Sequence, residues 1–195
     1  MQRLKIGVLG SGKGSNFGAI LAAREAGELD IDPVLVLSDI EGSGILALAA
    51  SAGIPCGVIV EPNFRTRLSP EVEADVVRRL REAGAELVVL AGYMRMVKLP
   101  LLDAFPSRVI NIHPSLLPKF PGLEAWKQAL EAGEIVTGCT VHYVDEGMDS
   151  GPIIARAEVP VLPGDTAQSL HARIQVAEHR LYPEVLRRFV RRELP

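Results

Sequence analysis

Asn111-Ile112-His113-Pro114 closes a short apolar run, Val109-Ile110, and Asp149 follows later within Gly147-Met148-Asp149-Ser150-Gly151. An apolar run of this length reads as a buried strand. Residues i and i+2 of a strand share a face, so Asn111 and His113 point the same way. Pro114 cannot donate to a ladder and ends the strand, leaving both side chains at its exit. An amide donor beside an imidazole can stabilise a developing oxyanion, and a nearby carboxylate favours the imidazolium, the better donor. Asn111, His113 and Asp149 therefore read as an oxyanion-stabilising catalytic set. His142, Asp145, Glu146 and Asp149 also cluster in sequence, but their spacing matches neither a calcium loop nor a zinc-binding helix. No metal is expected.

A second chemical feature is Gly10-Ser11-Gly12-Lys13-Gly14-Ser15-Asn16, between an apolar run and a helical pattern. A glycine-rich turn there lets backbone N–H groups face an anion while the helix N-terminus adds a favourable field. Ser15 and Asn16 add side-chain donors and an N-cap. A phosphate is the natural occupant. Two familiar motifs nearly match. Gly7 to Lys13 spells the start of a nucleotide-triphosphate loop, but Gly14 stands where Ser or Thr must meet Mg²⁺. A dinucleotide fingerprint needs glycine where Ser15 stands, although Asp39 could serve it as a ribose acceptor.

The elements that must position these groups follow from periodicity. Strands are predicted at 4–9, 34–37, 57–60 and 87–91, with helices at 15–26, 44–52 and 71–83 between them. This alternation implies a parallel, doubly wound sheet with right-handed crossovers. Beyond Gly92-Tyr93 come a helix at 100–105, the strand at 108–113, an irregular proline-rich stretch and a helix at 124–132. Strands at 136–144 and 153–161, joined by a short loop, predict an antiparallel addition to the sheet edge. The pattern at 167–192 is helical with Pro183 inside it, which predicts two helices or a kink. The fold class is α/β: a mostly parallel, Rossmann-like sheet with an antiparallel C-terminal addition and a final helix. No linker divides the chain, so residues 1–195 read as one domain. About 1–100 form the phosphate-binding half and about 101–195 the catalytic half.

Composition limits the partners. Of 195 residues, 48% are hydrophobic and only 5% aromatic, which suits an aliphatic core between parallel strands and helices. The net charge of −3 argues against nucleic-acid binding. Cys56 and Cys139 fit no metal spacing and read as buried thiols in a reducing cytosol. His171 and His179 fall in the last helical pattern as structural or exposed residues. Arg187, Arg188, Arg191 and Arg192 read as its wet face and favourable C-terminal charge. No signal peptide is expected before the first strand, and no apolar stretch is long enough to span a membrane. A cytoplasmic protein, monomer or homodimer, is expected.

Gly12-Lys13-Gly14-Ser15-Asn16, Leu90-Ala91-Gly92-Tyr93-Met94-Arg95, Asn111-Ile112-His113-Pro114-Ser115-Leu116-Leu117-Pro118, Phe120-Pro121-Gly122 and Asp149-Ser150-Gly151-Pro152 resemble the formyltetrahydrofolate-dependent formyltransferase family. The resemblance covers almost the whole chain. The phosphate loop and Phe120-Pro121-Gly122 narrow it to the branch that formylates phosphoribosylglycinamide in de novo purine (IMP) biosynthesis. It implies two small-molecule substrates, 5′-phosphoribosylglycinamide and 10-formyltetrahydrofolate, the latter as co-substrate. Gly14, Ser15 and Asn16 would hold the ribonucleotide phosphate, with Pro114, Gln175 and Glu178 nearby. Arg67, with Arg65 as its competitor, would meet the folate. Met94, Arg95, Met96, Val97, Asn111, Val144, Asp145 and Glu146 would complete the folate pocket. Asn111 and His113 would act on the formyl carbonyl, with Asp149 holding His113 and raising its proton affinity. Related branches that act on methionyl-tRNA would add a basic RNA-binding domain, and the deformylases a regulatory domain before the first strand. Sugar-nucleotide formyltransferases share the catalytic motif, and a non-catalytic dinucleotide-binding module is the reading outside the class.

Overall fold

The structure, a computed structural model, describes residues 3–194. Five parallel strands come first: β1 (Leu4–Leu9), β2 (Ile31–Ser38), β3 (Cys56–Val58), β4 (Leu87–Leu90) and β5 (Val109–His113). Helices α1 (Ser15–Glu25), α2 (Gly44–Ser51), α3 (Pro70–Glu82) and α4 (Leu99–Ala104) connect them. After α5 (Ala125–Glu131), β6 (Val136–Tyr143) pairs antiparallel with β5, and β7 (Ile153–Pro160) pairs antiparallel with β6. The final helix is α6 (Ala167–Val190). The seven-stranded sheet runs β3-β2-β1-β4-β5-β6-β7. Helical crossovers return the first five strands in parallel, whereas the short β6–β7 loop permits only reversal.

The sheet is buried on both faces by strand alternation. Ile6, Val8, Val36, Leu87, Val89, Ile110 and Ile112 pack with α1, α2, α5 and α6. Leu9, Leu35, Leu37, Val88, Leu90 and Val109 pack with α3 and α4 on the other side. A period of two places Asn111 and His113 on the α3–α4 side of β5. Strand order reverses between β1 and β4, so the loops leaving these strands diverge and open a crevice at the carboxyl edge.

One expectation is narrowed and one corrected. Helix α6 continues through Pro183, so the two-helix alternative gives way to a single helix. An internal proline costs roughly 3 kcal/mol, but Leu181, Tyr182, Val185 and Leu186 around it are buried, each contributing roughly 1.5–3 kcal/mol. Tyr182 also places its hydroxyl 2.9 Å from the Leu90 carbonyl oxygen and 3.2 Å from that of Ile110, pinning α6 to the central strands. Cys139 is buried as expected, but Cys56 opens the short edge strand β3 and is exposed. Among the described residues, no helix is long and apolar enough to cross a membrane.

Candidate active site

At the carboxyl end of β5, Asn111 is half-buried and His113 is buried. Register pairs Asn111 with His142 and His113 with Thr140 of β6. The loop after β6 brings Asp149 back over them. Its Oδ2 lies 3.3 Å from His113 Nδ1, and its Oδ1 accepts from Asn111 Nδ2 at 3.4 Å. Asp149 adopts φ 52°, a left-handed conformation tolerated by aspartate more than by most residues. The Gly122 N–H holds it there, donating to Oδ2 at 2.9 Å. Gly151 is required two residues later, because a side chain would collide with the Tyr143 carbonyl.

His113 Nε2 lies 2.8 Å from the Phe120 carbonyl oxygen, while Nδ1 faces Asp149. Both neighbours only accept, so a neutral ring satisfies one of them and an imidazolium satisfies both. Burial pulls the His113 pKa down; the Asp149 charge and the Phe120 carbonyl pull it up, and burial prevails. The expected lift from Asp149 is therefore present but outweighed. Burial works to raise the Asp149 pKa, but His142, His113 and the Gly122 N–H together hold it below the usual carboxylate value.

His142 is the residue that sequence reasoning missed, having weighed it only as a metal ligand. Its Nδ1 faces the Tyr143 carbonyl at 2.8 Å and so carries the hydrogen. Nε2 points into the site, 3.3 Å from Asn111 Nδ2 and 3.6 Å from Asp149 Oδ1. Alternation within 136–144 leaves its face open; only the antiparallel register with β5 selects it. The Phe120 carbonyl and Gly122 N–H were equally hidden, because backbone groups leave no trace in residue type.

The glycine-rich loop leaves β1 at the switch point. Gly14 is the N-cap of α1 at φ 77°, and a Cβ there would lie 2.8 Å from Ile45 Cα. The expected side-chain cap by Ser15 or Asn16 is absent, because both already lie inside the helix. Ser15 is exposed at the mouth of the loop. Asn16 is buried and turns its amide inward, donating to Glu178 Oε2 at 3.1 Å, which leaves its Oδ1 without a partner. Burial pushes the Glu178 carboxyl up to about 7, against the lowering effect of Asn16. Gln175 stands one turn before it on α6, half-buried.

The segment after β4 presents Met94 to solvent and buries Val97. Arg95 does not reach into the crevice: its Nε donates to Asp39 Oδ2 at 2.7 Å, and its Nη1 donates to the Phe64 and Arg67 carbonyls. Its side chain is thus committed to structural partners, which leaves its backbone to line the pocket. Asp39 also accepts from Ser11 Oγ at 2.6 Å, so both its oxygens already hold a partner. Arg67 is exposed, its backbone bridged to Met96 and its guanidinium over the Phe64 ring at 4.3 Å. Across the crevice, Val144 and Asp145 are half-buried and Glu146 is exposed. Asp145 Oδ1 shapes that loop by accepting from Gly147 N at 3.1 Å and Ser150 Oγ at 2.8 Å. Lys98 Nζ reaches over to the Glu146 carbonyl at 3.1 Å. The described residues contain no group of acidic, histidine or cysteine side chains that could hold a metal ion.

A switch-point sheet with a glycine-rich loop leaving β1, beside a buried Asn–His–Asp cluster at the exit of β5, defines a Rossmann-like α/β class. Comparison with known proteins agrees. The formyl transferase family model matches residues 4–186. Phosphoribosylglycinamide formyltransferase of Bacillus subtilis is 39% identical over 186 residues, covering 95% of this chain and 94% of that protein. The trifunctional purine biosynthetic protein adenosine-3 of Drosophila pseudoobscura pseudoobscura is 50% identical over 186 residues; they are 94% of this chain and only 14% of that protein. The crystal structure of glycinamide ribonucleotide transformylase 1 from Symbiobacterium toebii superposes with a TM-score of 0.90 at 47% identity, covering 96% of this chain and 88% of that one. The chain belongs to the formyl transferase family.

Proposed function

We propose that the chain transfers the formyl group of 10-formyltetrahydrofolate to the amine of 5′-phosphoribosylglycinamide, yielding formylglycinamide ribonucleotide and tetrahydrofolate in de novo purine biosynthesis. The observation that carries this reading is the meeting of Asn111, His113 and Asp149 at one strand exit. Attack of the amine on the formyl carbon develops charge on the carbonyl oxygen. Asn111 Nδ2 and the His113 imidazolium stabilise that charge; as the bond from the formyl carbon to the departing nitrogen breaks, His113 passes that nitrogen a proton, and the proton shed by the attacking amine restores the imidazolium. Asp149 holds Nδ1, so Nε2 serves the substrate, and its bond to the Phe120 carbonyl yields when it does. Gly14, Ser15 and, through its backbone N–H, Asn16 cradle the phosphate at the start of α1, and Pro114, Gln175 and Glu178 flank the ribonucleotide. Met94 to Val97, Asn111 and the Val144–Glu146 loop form the folate pocket, with Arg67 at its rim and Arg95 acting through its backbone. We read the chain as a single domain with its phosphate-binding half before about residue 100, cytoplasmic, monomeric or homodimeric, and without metal.

The test is formyl transfer from 10-formyltetrahydrofolate to phosphoribosylglycinamide, with a water-only control, in wild type and His113→Ala. Amine-dependent turnover that collapses by roughly a hundred- to thousandfold in the variant is expected. Formyl loss without the amine, or turnover unchanged in the variant, would refute the reading.

A further inference from the structure

Resting on the reading above, we propose that Asp39 is a positioning residue that fixes the phosphate loop and the folate-binding segment to one another, so that both substrates are bound through it. The carboxylate stands just beyond the end of β2, its side chain 5% exposed, between loops that leave β1 and β4. One oxygen takes the Ser11 hydroxyl at 2.6 Å, and the other takes Arg95 Nε at 2.7 Å. Ser11 in turn accepts from the Met94 N–H at 2.9 Å and donates its own N–H to the Gly92 carbonyl at 3.0 Å. Arg95, 11% exposed, carries the tie onward to the Phe64 and Arg67 carbonyls, beside the Arg67–Met96 bridge.

The consequence follows from what each tied segment offers. Ser11 immediately precedes the glycines that would face the phosphate. Met94 to Val97 line the proposed folate pocket, Arg95 with its backbone because its side chain is tied elsewhere, and a pocket wall of this kind depends on a fixed chain path. Removing one partner of a nearly buried ion pair strands the other, so Arg95 would leave its place and release the segment. Asp39 touches no reacting atom. Its loss should therefore appear in substrate binding, not in the chemical step.

The experiment measures kcat and both KM values in wild type, Asp39→Ala, Asp39→Asn and Ser11→Ala, with thermal stability in parallel. In Asp39→Ala both KM values should rise together, each by about tenfold to a hundredfold as expected for a lost charge-assisted bond, with kcat nearly unchanged. Asn can accept from Arg95 with Oδ1 and donate to Ser11 Oγ with Nδ2, so Asp39→Asn should recover most of both KM values. Ser11→Ala, which frees Met94 but keeps the ion pair, should raise both by a smaller factor. A folded Asp39→Ala with a lowered melting temperature and unmoved KM values, or with only one moved, would overturn the proposal. If Asp39→Ala does not fold, unmoved KM values in Ser11→Ala would overturn it equally, as would an Asp39→Asn no better than a soluble Asp39→Ala. A wild type that fails to turn over this substrate pair refutes the proposed function and this inference with it. A wild type that turns it over, with unmoved KM values in the variants, refutes this inference alone.

Discussion

Glu178 makes the stability of the fold depend on pH in a direction opposite to most carboxylates. It is 5% exposed and bonded to one donor, Asn16 Nδ2, and its pKa rises from 4.5 to about 7. A carboxyl whose folded pKa is raised binds its proton more tightly when folded. The stabilisation is therefore fully present below pH 4.5 and is lost as the pH climbs to about 7. At 1.36 kcal/mol per pKa unit, the whole effect is about 3 kcal/mol, most of it lost between about pH 5 and pH 8. Replacement by glutamine removes the titration. The new side-chain amide would still accept from Asn16 and could donate to Asn16 Oδ1, which has no partner. Glu178→Gln should thus match wild type near pH 5 and exceed it near pH 8 by about 2–3 kcal/mol, or roughly 4–12 °C in melting temperature for a chain of this size. Urea unfolding of both proteins across that range gives the difference curve, from which titrations common to both, including His113, cancel. Parallel curves would refute the reasoning, because they would mean that Glu178 is ionised in the folded protein without penalty.

Three further outcomes are expected. Asn111→Ala should lower kcat by about a hundred- to thousandfold, as for a lost oxyanion donor, with unfolding by urea unchanged; steady-state kinetics decides it. His142→Ala acts only through Asn111 and Asp149, so kcat should fall by a more modest two- to tenfold, roughly one hydrogen bond; a loss as large as that of Asn111→Ala would place His142 on the substrate. Because Asp149 opposes the burial that depresses His113, Asp149→Asn should shift the NMR titration of the His113 ring to still lower pH, and an upward shift would contradict the arrangement of charges.

Much of this protein is decided by local sequence. The glycine-rich turn, the alternation of aliphatic strands with helices, and the co-facial Asn111 and His113 ending at Pro114 all follow from period and residue type. They depend on neighbours a few positions away. Distant contacts decided the rest. Proline at 183 reads locally as a break or a kink, and burial of the surrounding α6 face keeps one helix there. Asn16 and Glu178 lie on opposite ends of the chain, and only the packing of α1 on α6 turns the amide away from the loop. The partner of the Arg95 side chain is undefined until β2 delivers Asp39 beside it. His142 gains its place from the register of β6 on β5, which no single strand contains. Side-chain period is a property of one segment, whereas the partner of a buried charge or donor is set by the sheet order. Periodicity and residue type therefore reveal where the chemistry sits, and the fold determines which groups hold it.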